Sequence, residues 1–499
     1  MPVVDMSHYA RYESRPFNKE EREKVTVLFG GLTWKHEKLL QGVLHNLNYN
    51  ARTLPNITRQ DLDMGKELID VGACSPTIFT TGSLASFLKS EAEVHGKEAV
   101  ADKYVFATFG ACGPCRFGQY HESYSMALDG LGLRSLRMLL LAQEFKQSKG
   151  KGDGLEVNVP FALGVVWALL IADTLTDLEY LTRPYEVNPG ETDRVLQECL
   201  EIMYQAFKNR PLRGGKLGVA ALHFFGNYFT DTLRLIRQKF AAIEVDRLRV
   251  KARVKLTGEF WLQIHEGEGN YNIKRWLEQE GGEVITAPIA VWIEYLMQPF
   301  QREAKDPTFA KTRWKQWTLQ AVLWIYRGVY NRFRKALGNL PYPLPDQVEM
   351  KNLAHPFYHH RQRGGEGHML VGKALQAYHH KSAHMVCELT PYSCMPNTMS
   401  VGAMANVLGK HPDLLYAAIE VKGDADTHAL SRCQMILTEA RRRAHAEFEE
   451  VLARTGLTIE AIRRYERSHP EVTKANYRIP HAGCAGMAAN YVLHLAGKI

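Results

Sequence analysis

The strongest constraint on this chain is a twice-repeated alternation of two residue patterns. Short runs rich in β-branched and aromatic residues are each followed by a longer run with apolar residues at a helical period. The first series opens with "KVTVLFGGLTW" (24–34), "HEKLLQGVLHNL" and "YNARTLP". It continues with the helix pattern "SPTIFTTGSLASFLKSEAEVHG", the strand "KYVFATFG", the helix pattern "FGQYHESYSMALDGLGL" and the strand "SLRMLLLAQ". Such alternation predicts a parallel, doubly wound sheet.

From about 155 to 248 the alternation stops, and runs such as "TDRVLQECLEIMYQAFKN" and "YFTDTLRLIRQKFAAIEVDRL" follow as successive helices. It resumes with "RVKLTGEFWL", the helix "NYNIKRWLEQEG" and the strand "GEVITAPI". Two helices up to about 337, the helix "GHMLVGKALQAYHH", the strand "HMVCELT", the helix "SVGAMANVLGKH" and the strand "LLYAAIEV" complete the series. The predicted fold class is α/β, with a first lobe over 1–154, a helical region over 155–248, a second lobe over 249–450 and a C-terminal helical tail over 451–499. "LGNLPYPLPDQ" (337–347) reads as a turn inside the second lobe. A length of 499 residues supports this division, because a single core rarely serves so many.

The longest apolar run, "VPFALGVVWALLIADTL" (159–175), is interrupted by Asp173 and has no basic flank, so it predicts a buried helix and not a membrane span. The first residues, "MPVVDMSHYARYESRPF", show no apolar signal core, and a cytoplasmic location is expected. A formal charge of +8 is spread along the chain, and "RRR" at 441–443 falls in a helical pattern as a solvated face. No nucleic-acid partner is expected.

Eight cysteines are too few for a disulfide scaffold, and in a reducing compartment they are thiols. Cys112 and Cys115, in "ACGPC", lie just past a predicted strand, as does Cys394 in "PYSCMPN", while Cys74 immediately precedes a helix. Open α/β sheets bind ligands outside the carboxyl ends of their strands. Three readings of the Cys112–Cys115 pair stand side by side: a thioredoxin-type redox pair, a strand-to-helix turn, or metal ligation. Gly110 and Ala111 precede the pair where a thioredoxin carries Trp, and no Thr-Pro element follows. The CxxC spacing lets both thiolates reach one metal centre, with Cys74 and Cys394 completing a set of four. Zinc accepts the same ligands, although structural zinc sites usually come as local paired knuckles.

At these residues the chain resembles the 2-hydroxyacyl-CoA dehydratase family, most closely its large activase-related members. The blocks that carry the resemblance are "ACGPCRFGQY", "RPYEVNPGETD", "LTGEFWLQIHEGEGNYNIKRWLEQEGGEV", "GGEGHMLVGKAL", "PYSCMPNTMSVGAM" and "EVKGDADTHALSRCQMILTEA", in the family's order between about 24 and 450. The resemblance implies flavodoxin-like lobes with an iron–sulfur cluster between them, most simply [4Fe–4S]. It also implies one low-potential electron from a separate actin-Hsp70-type ATPase activator that carries its own cluster. In the dehydratases that electron makes a ketyl radical of an acyl-CoA substrate; related members hold a double cubane, [8Fe–9S], and reduce small molecules. Cys115 and Cys394 match the family motifs best, Cys112 and Cys74 less uniformly. The sequence shows neither a Walker A motif nor an actin-type phosphate loop, so activation in trans is expected, with assembly as a homo- or hetero-oligomer. A non-enzymatic scaffold or assembly subunit that kept the fold is the alternative from another class.

Other candidates have plainer explanations. His355, His359, His360, His368, His379, His380 and His384 cluster without a spacing that fixes a catalytic pair. Glu366 and Glu268, in "GGEGH" and "EGEGN", stand at loop-to-helix junctions, where they either cap helices or border an anion site. Cys199, Cys387 and Cys433 read as core thiols, and a double cubane would recruit two of Cys387, Cys433 and Cys484.

Overall fold

The computed structural model describes residues 15–70, 72–110, 115–142, 152–303, 313–362 and 365–499. In the first lobe the elements are β1 (Thr26–Phe29), α1 (Trp34–Asn46), β2 (Asn50–Thr53), α2 (Arg59–Leu68), α3 (Ser75–His95), α4 (Lys97–Lys103), β3 (Tyr104–Gly110), α5 (Tyr120–Gly130) and β4 (Arg137–Ala142). The strands are parallel in the order β2-β1-β3-β4, with Thr26 opposite both Asn50 and Tyr104. Both faces are covered by helices, so Val27, Leu28, Val105 and Phe106 are all buried. The helices α2 and α4 are additions to the pattern read from sequence.

Two glycines bring α2 and α3 into backbone contact. A methyl group at Gly82 would stand 1.6 Å from the Asp61 carbonyl oxygen, and one at Gly65 would stand 2.1 Å from that of Ile78. This close crossing holds α3 and the Cys74 residue that caps it.

The helical region comprises α6 (Val159–Thr182), α7 (Glu191–Lys208), α8 (Gly215–Phe224) and α9 (Tyr228–Phe240). The apolar α6 is long enough to cross a bilayer, but 56% of its apolar window is buried inside the protein, where Leu170, Ile171 and Leu175 sit in the region's core. Asp173 is accommodated in that core because its carboxylate accepts the Ile289 and Ala290 N–H groups at 2.9 and 2.8 Å and lies 3.0 Å from His36 Nε2. A buried carboxylate with three partners is tolerated where a bare one is not.

The second lobe and tail contain β5 (Ala252–Gly258), α10 (Phe260–Ile264), α11 (Ile273–Gln279), β6 (Gly282–Ile285), α12 (Ile289–Glu303), α13 (Arg313–Ala336), α14 (Gln347–Ala354), α15 (His368–His379), β7 (Met385–Pro391), α16 (Met395–Lys410), β8 (Tyr416–Val421), α17 (Asp426–Thr455), α18 (Ile459–Ser468) and α19 (Met487–Ala496). Its strands are parallel in the order β6-β5-β7-β8, the same topology as the first sheet. The protein is therefore α/β with two flavodoxin-like lobes.

Two packing relationships go beyond the sequence pattern. Ala290, Val291, Tyr326, Tyr330 and Phe333 of α12 and α13 join the core of the helical region, so that region draws on residues inside the 249–450 span. The lobes also meet directly: Ile57, Leu62, Ile78 and Phe79 of the first share one apolar cluster with Val254, Trp261 and Leu389 of the second. Buried ion pairs join all three parts, since the Lys35 ammonium contacts Glu179 of α6 and, at 2.6 Å, Glu266 after α10.

Candidate functional site

Cys74 is the N-cap of α3 and Cys394 the N-cap of α16, each followed two residues later by a proline in the first helical turn. Proline suits that turn because its missing N–H has no intrahelical partner there. Cys115 lies beyond β3, directly before the single 3-10 turn Arg116–Gln119. Cys112 falls outside the described residues, so the geometry of the CxxC pair does too.

The three thiol-bearing loops are stitched together at their backbones. The Ser75 N–H donates to the Tyr392 carbonyl at 3.3 Å. The Ser393 hydroxyl donates to the Gly72 carbonyl at 2.9 Å, and the Arg116 guanidinium donates to that same oxygen. Ser393 adopts φ = 61°, a left-handed conformation that a non-glycine residue holds only when its surroundings enforce it. Cys74, from the first lobe, and Cys394, from the second, thus stand buried on loops that meet at the lobe contact.

The thiols sit in an apolar, carboxyl-bordered setting. Cys74 Sγ lies 3.0 Å from Thr77 Oγ1 and 3.6 Å from the Tyr120 hydroxyl. Burial pushes the Cys115 thiol up to about 12, against a pull from the Phe117 N–H, with Glu366, Glu259 and Cys74 adding to the rise. Burial likewise pushes Cys394 up, with Glu259, Glu366 and Cys74 adding and the Asn397 N–H opposing. Glu259, Glu366 and Cys74 each act on both Cys115 and Cys394, so the two carboxyls lie near both thiols.

Glu259 follows β5, where Gly258 at φ = 122° turns the chain against Leu389 of β7; a methyl at Gly258 would stand 2.2 Å from the Leu389 carbonyl oxygen. The Glu259 carboxylate caps α10 by accepting the Leu262 N–H at 2.9 Å. Burial raises the pKa of Glu259 and of Glu366, and Glu259 raises Glu366 further while Lys373 opposes. Burial lowers the Lys373 ammonium, with neighbouring Lys255 adding to the fall. Protonatable carboxyls therefore lie near these thiols.

A narrow crevice lies at the carboxyl ends of β1 and β2, bounded by Gly30, Gly31, Glu37, Thr80, Tyr124 and His265. Glu37 accepts the Leu32 N–H at 2.9 Å, and burial pushes its carboxyl up to about 7. His265 is buried, neither ring nitrogen has a hydrogen-bond partner among the described residues, and burial followed by Lys274 pushes it down to about 3. It stacks on Trp261 at 4.4 Å, and Trp261 stacks on Phe79 at 5.9 Å across the lobe contact.

The remaining candidates separate from these thiol-bearing loops. Cys387, in mid-β7, faces Cys433 of α17 in the second-lobe core, Cys199 is in the helical core, and Cys484 is in the tail cluster. Glu268 accepts the Arg59 N–H at 2.6 Å, which makes it a helix cap. His384 accepts the Arg253 N–H at 2.9 Å and lies 3.2 Å from Glu447. Glu37, Glu259, His265 and Lys373 were not legible as site residues; Glu259 lay inside the segment "RVKLTGEFWL", which the structure divides into a strand ending at Gly258 and a short helix from Phe260. Compared with known proteins, the chain matches no family model and no curated sequence.

Proposed function

We propose that this is a cytoplasmic iron–sulfur protein of the 2-hydroxyacyl-CoA dehydratase type, with Cys74, Cys115 and Cys394 as cluster ligands and Cys112 as the fourth. It would receive low-potential electrons from an ATP-dependent activator acting in trans and use them for radical dehydration or a difficult reduction. The observation that carries this reading is the meeting of thiol-bearing loops from both lobes, fastened through Gly72, Ser75, Tyr392 and Ser393.

Cysteine thiols are the donor type such a cluster takes, and that chemistry is what supports this reading. Among the described residues, the only three side-chain ligand atoms within 4.8 Å of one another belong to a histidine group elsewhere, so the three thiols do not close around a single ion. Ligands spread more widely suit a polynuclear cluster. The N–H groups of Phe117 and Asn397 pull the Cys115 and Cys394 thiols towards thiolate, but burial is the larger effect and raises both, so a bound metal would have to displace the thiol protons. When bound, the cluster supplies one-electron transfer at a potential tuned by burial and by hydrogen bonds to sulfur.

The chain's own residues handle protons and position. Burial raises the pKa of Glu259 and Glu366 towards neutrality, where carboxyls can both give and take a proton beside a substrate anion. Cys387, Cys433 and Cys484 lie away from the thiol-bearing loops, which favours a single cubane over a double one.

Anaerobic purification followed by iron, zinc and acid-labile sulfide analysis, with electron paramagnetic resonance of the reduced sample, tests this reading. About four irons per chain with matching sulfide are expected, and Cys115→Ala or Cys394→Ala should abolish bound iron while the circular dichroism spectrum persists. A full cluster in both variants would falsify the assignment. Zinc or no metal in the wild type would instead favour the non-enzymatic scaffold.

A further inference from the structure

We propose that His355, His359 and His360 form a binding site for a divalent first-row transition-metal ion, zinc foremost, with an open coordination position facing solvent. One ligand nitrogen from each residue lies within 4.8 Å of the other two, among the described residues the only such group of three or more His, Cys, Asp or Glu side chains. The ring centroids are 5.3 Å apart for His355 and His359, 5.6 Å for His355 and His360, and 4.8 Å for His359 and His360. Three neutral imidazoles with a free fourth position are a donor set that zinc and its neighbours accept.

The platform is ordered before any ion arrives. His355 is the C-cap of α14, and its N–H donates to the Lys351 carbonyl. Two residues before His360, Tyr358 is buried beside Ala354, Val371 and Leu375, so the segment is anchored in the second-lobe core. The Phe357 and Tyr358 N–H groups both donate to the Ala354 carbonyl, at 2.9 and 2.8 Å, and the Gln362 N–H donates to the His359 carbonyl at 2.9 Å. The ligand-bearing turn is therefore closed at both ends. The Arg361 N–H donates to His359 Nδ1 at 3.2 Å, which leaves the ring proton on Nε2. Nδ1 is then the His359 atom with a lone pair to offer, and an ion would replace that long hydrogen bond. His355 and His359 are exposed and His360 is half-buried, so a hydrated ion reaches them without opening the fold.

This site is separate from the thiol-bearing loops and does not rest on the function proposed above. Phe357 packs at the carboxyl end of α16, 4.9 Å from Lys410 Nζ and 6.4 Å from the His411 ring. Cys394 caps the opposite end of that helix, whose 16 residues span about 24 Å.

Titration of the purified protein with Zn²⁺ alone, read by calorimetry, and with Co²⁺ alone, read by visible absorption, tests the proposal. The expected result is about one ion per chain at this site, with cobalt d–d bands and no sulfur-to-cobalt charge-transfer band from it. That signal should persist in Cys394→Ala and disappear in the His355→Ala/His359→Ala double variant. His359→Ala and His360→Gln singly should each weaken binding by about tenfold or more, with circular dichroism unchanged at the exposed His359 and at the half-buried His360, where Gln keeps a polar side chain. Equal stoichiometry and spectra in the wild type and the double variant would overturn the proposal, as would cobalt bands accompanied only by the thiolate signature.

Discussion

The Ser75 N–H donates to the Tyr392 carbonyl at 3.3 Å, tying the first turn of a helix in one lobe to the strand-end loop of the other. Gly72 adds two more ties through its carbonyl, to Ser393 and Arg116. These are exposed bonds, each contributing about 1 kcal/mol, so their loss should loosen the loops without unfolding the lobes. Arg116→Ala/Ser393→Ala should raise amide hydrogen exchange in 72–78 and 392–398 and leave the sheet strands protected. Unchanged exchange in both segments would show that the loops are held by something else.

The Cys387–Cys433 contact provides a contrast with the thiols at the lobe contact. Both side chains are fully buried in the second-lobe core, so Cys387→Ala or Cys433→Ala should cost about 1–3 kcal/mol in chemical denaturation and, under the proposed function, leave the iron content at the wild-type value. Loss of iron from either folded variant would move these thiols into the functional set.

His265 and Glu37 give opposite pH dependences. His265 has a folded pKa of about 3, below its ordinary 6.5, so the unfolded chain binds more protons between those values. Its contribution is present above about 6.5 and is lost as pH falls towards 3, at up to about 1.4 kcal/mol per pH unit. Glu37 has a folded pKa of about 7, above its ordinary 4.5, so its contribution is present below 4.5 and is lost as pH rises through 7. His265→Gln should flatten the acid limb of the stability–pH profile, and Glu37→Gln should flatten the fall from 4.5 to 7. Parallel profiles for the wild type and both variants would contradict this assignment of charge states.

The Glu179 carboxylate is 3% exposed and contacts both the Lys35 ammonium and the Arg183 guanidinium. Glu179→Ala leaves Lys35 with Glu266 and Arg183 with Glu278 and Asp193, so both cations stay paired and the expected loss is that of charged hydrogen bonds, about 1–3 kcal/mol. Equilibrium denaturation of wild type and variant measures this directly. A loss below about 1 kcal/mol, the range of an exposed pair, would mean that water reaches the network.

The two lobes, their strands, the place of Cys115 and Cys394 just past a strand and that of Cys74 before a helix were legible in the sequence, because hydrophobic periodicity and turn chemistry act over a few neighbouring residues. The burial of "VPFALGVVWALLIADTL" was legible for the same reason, whereas the three partners that make Asp173 tolerable there come from α1 and α12. Tertiary structure alone decided that Cys74 and Cys394, some 320 positions apart, stand on loops that meet, that Glu259 lies near Cys394 and that His265 is sealed between the lobes. It also decided that α12 and α13 complete the helical core across the expected boundary at 248–249. These outcomes depend on which faces of distant elements meet, and the local pattern of a chain states that a face is apolar without stating what will cover it.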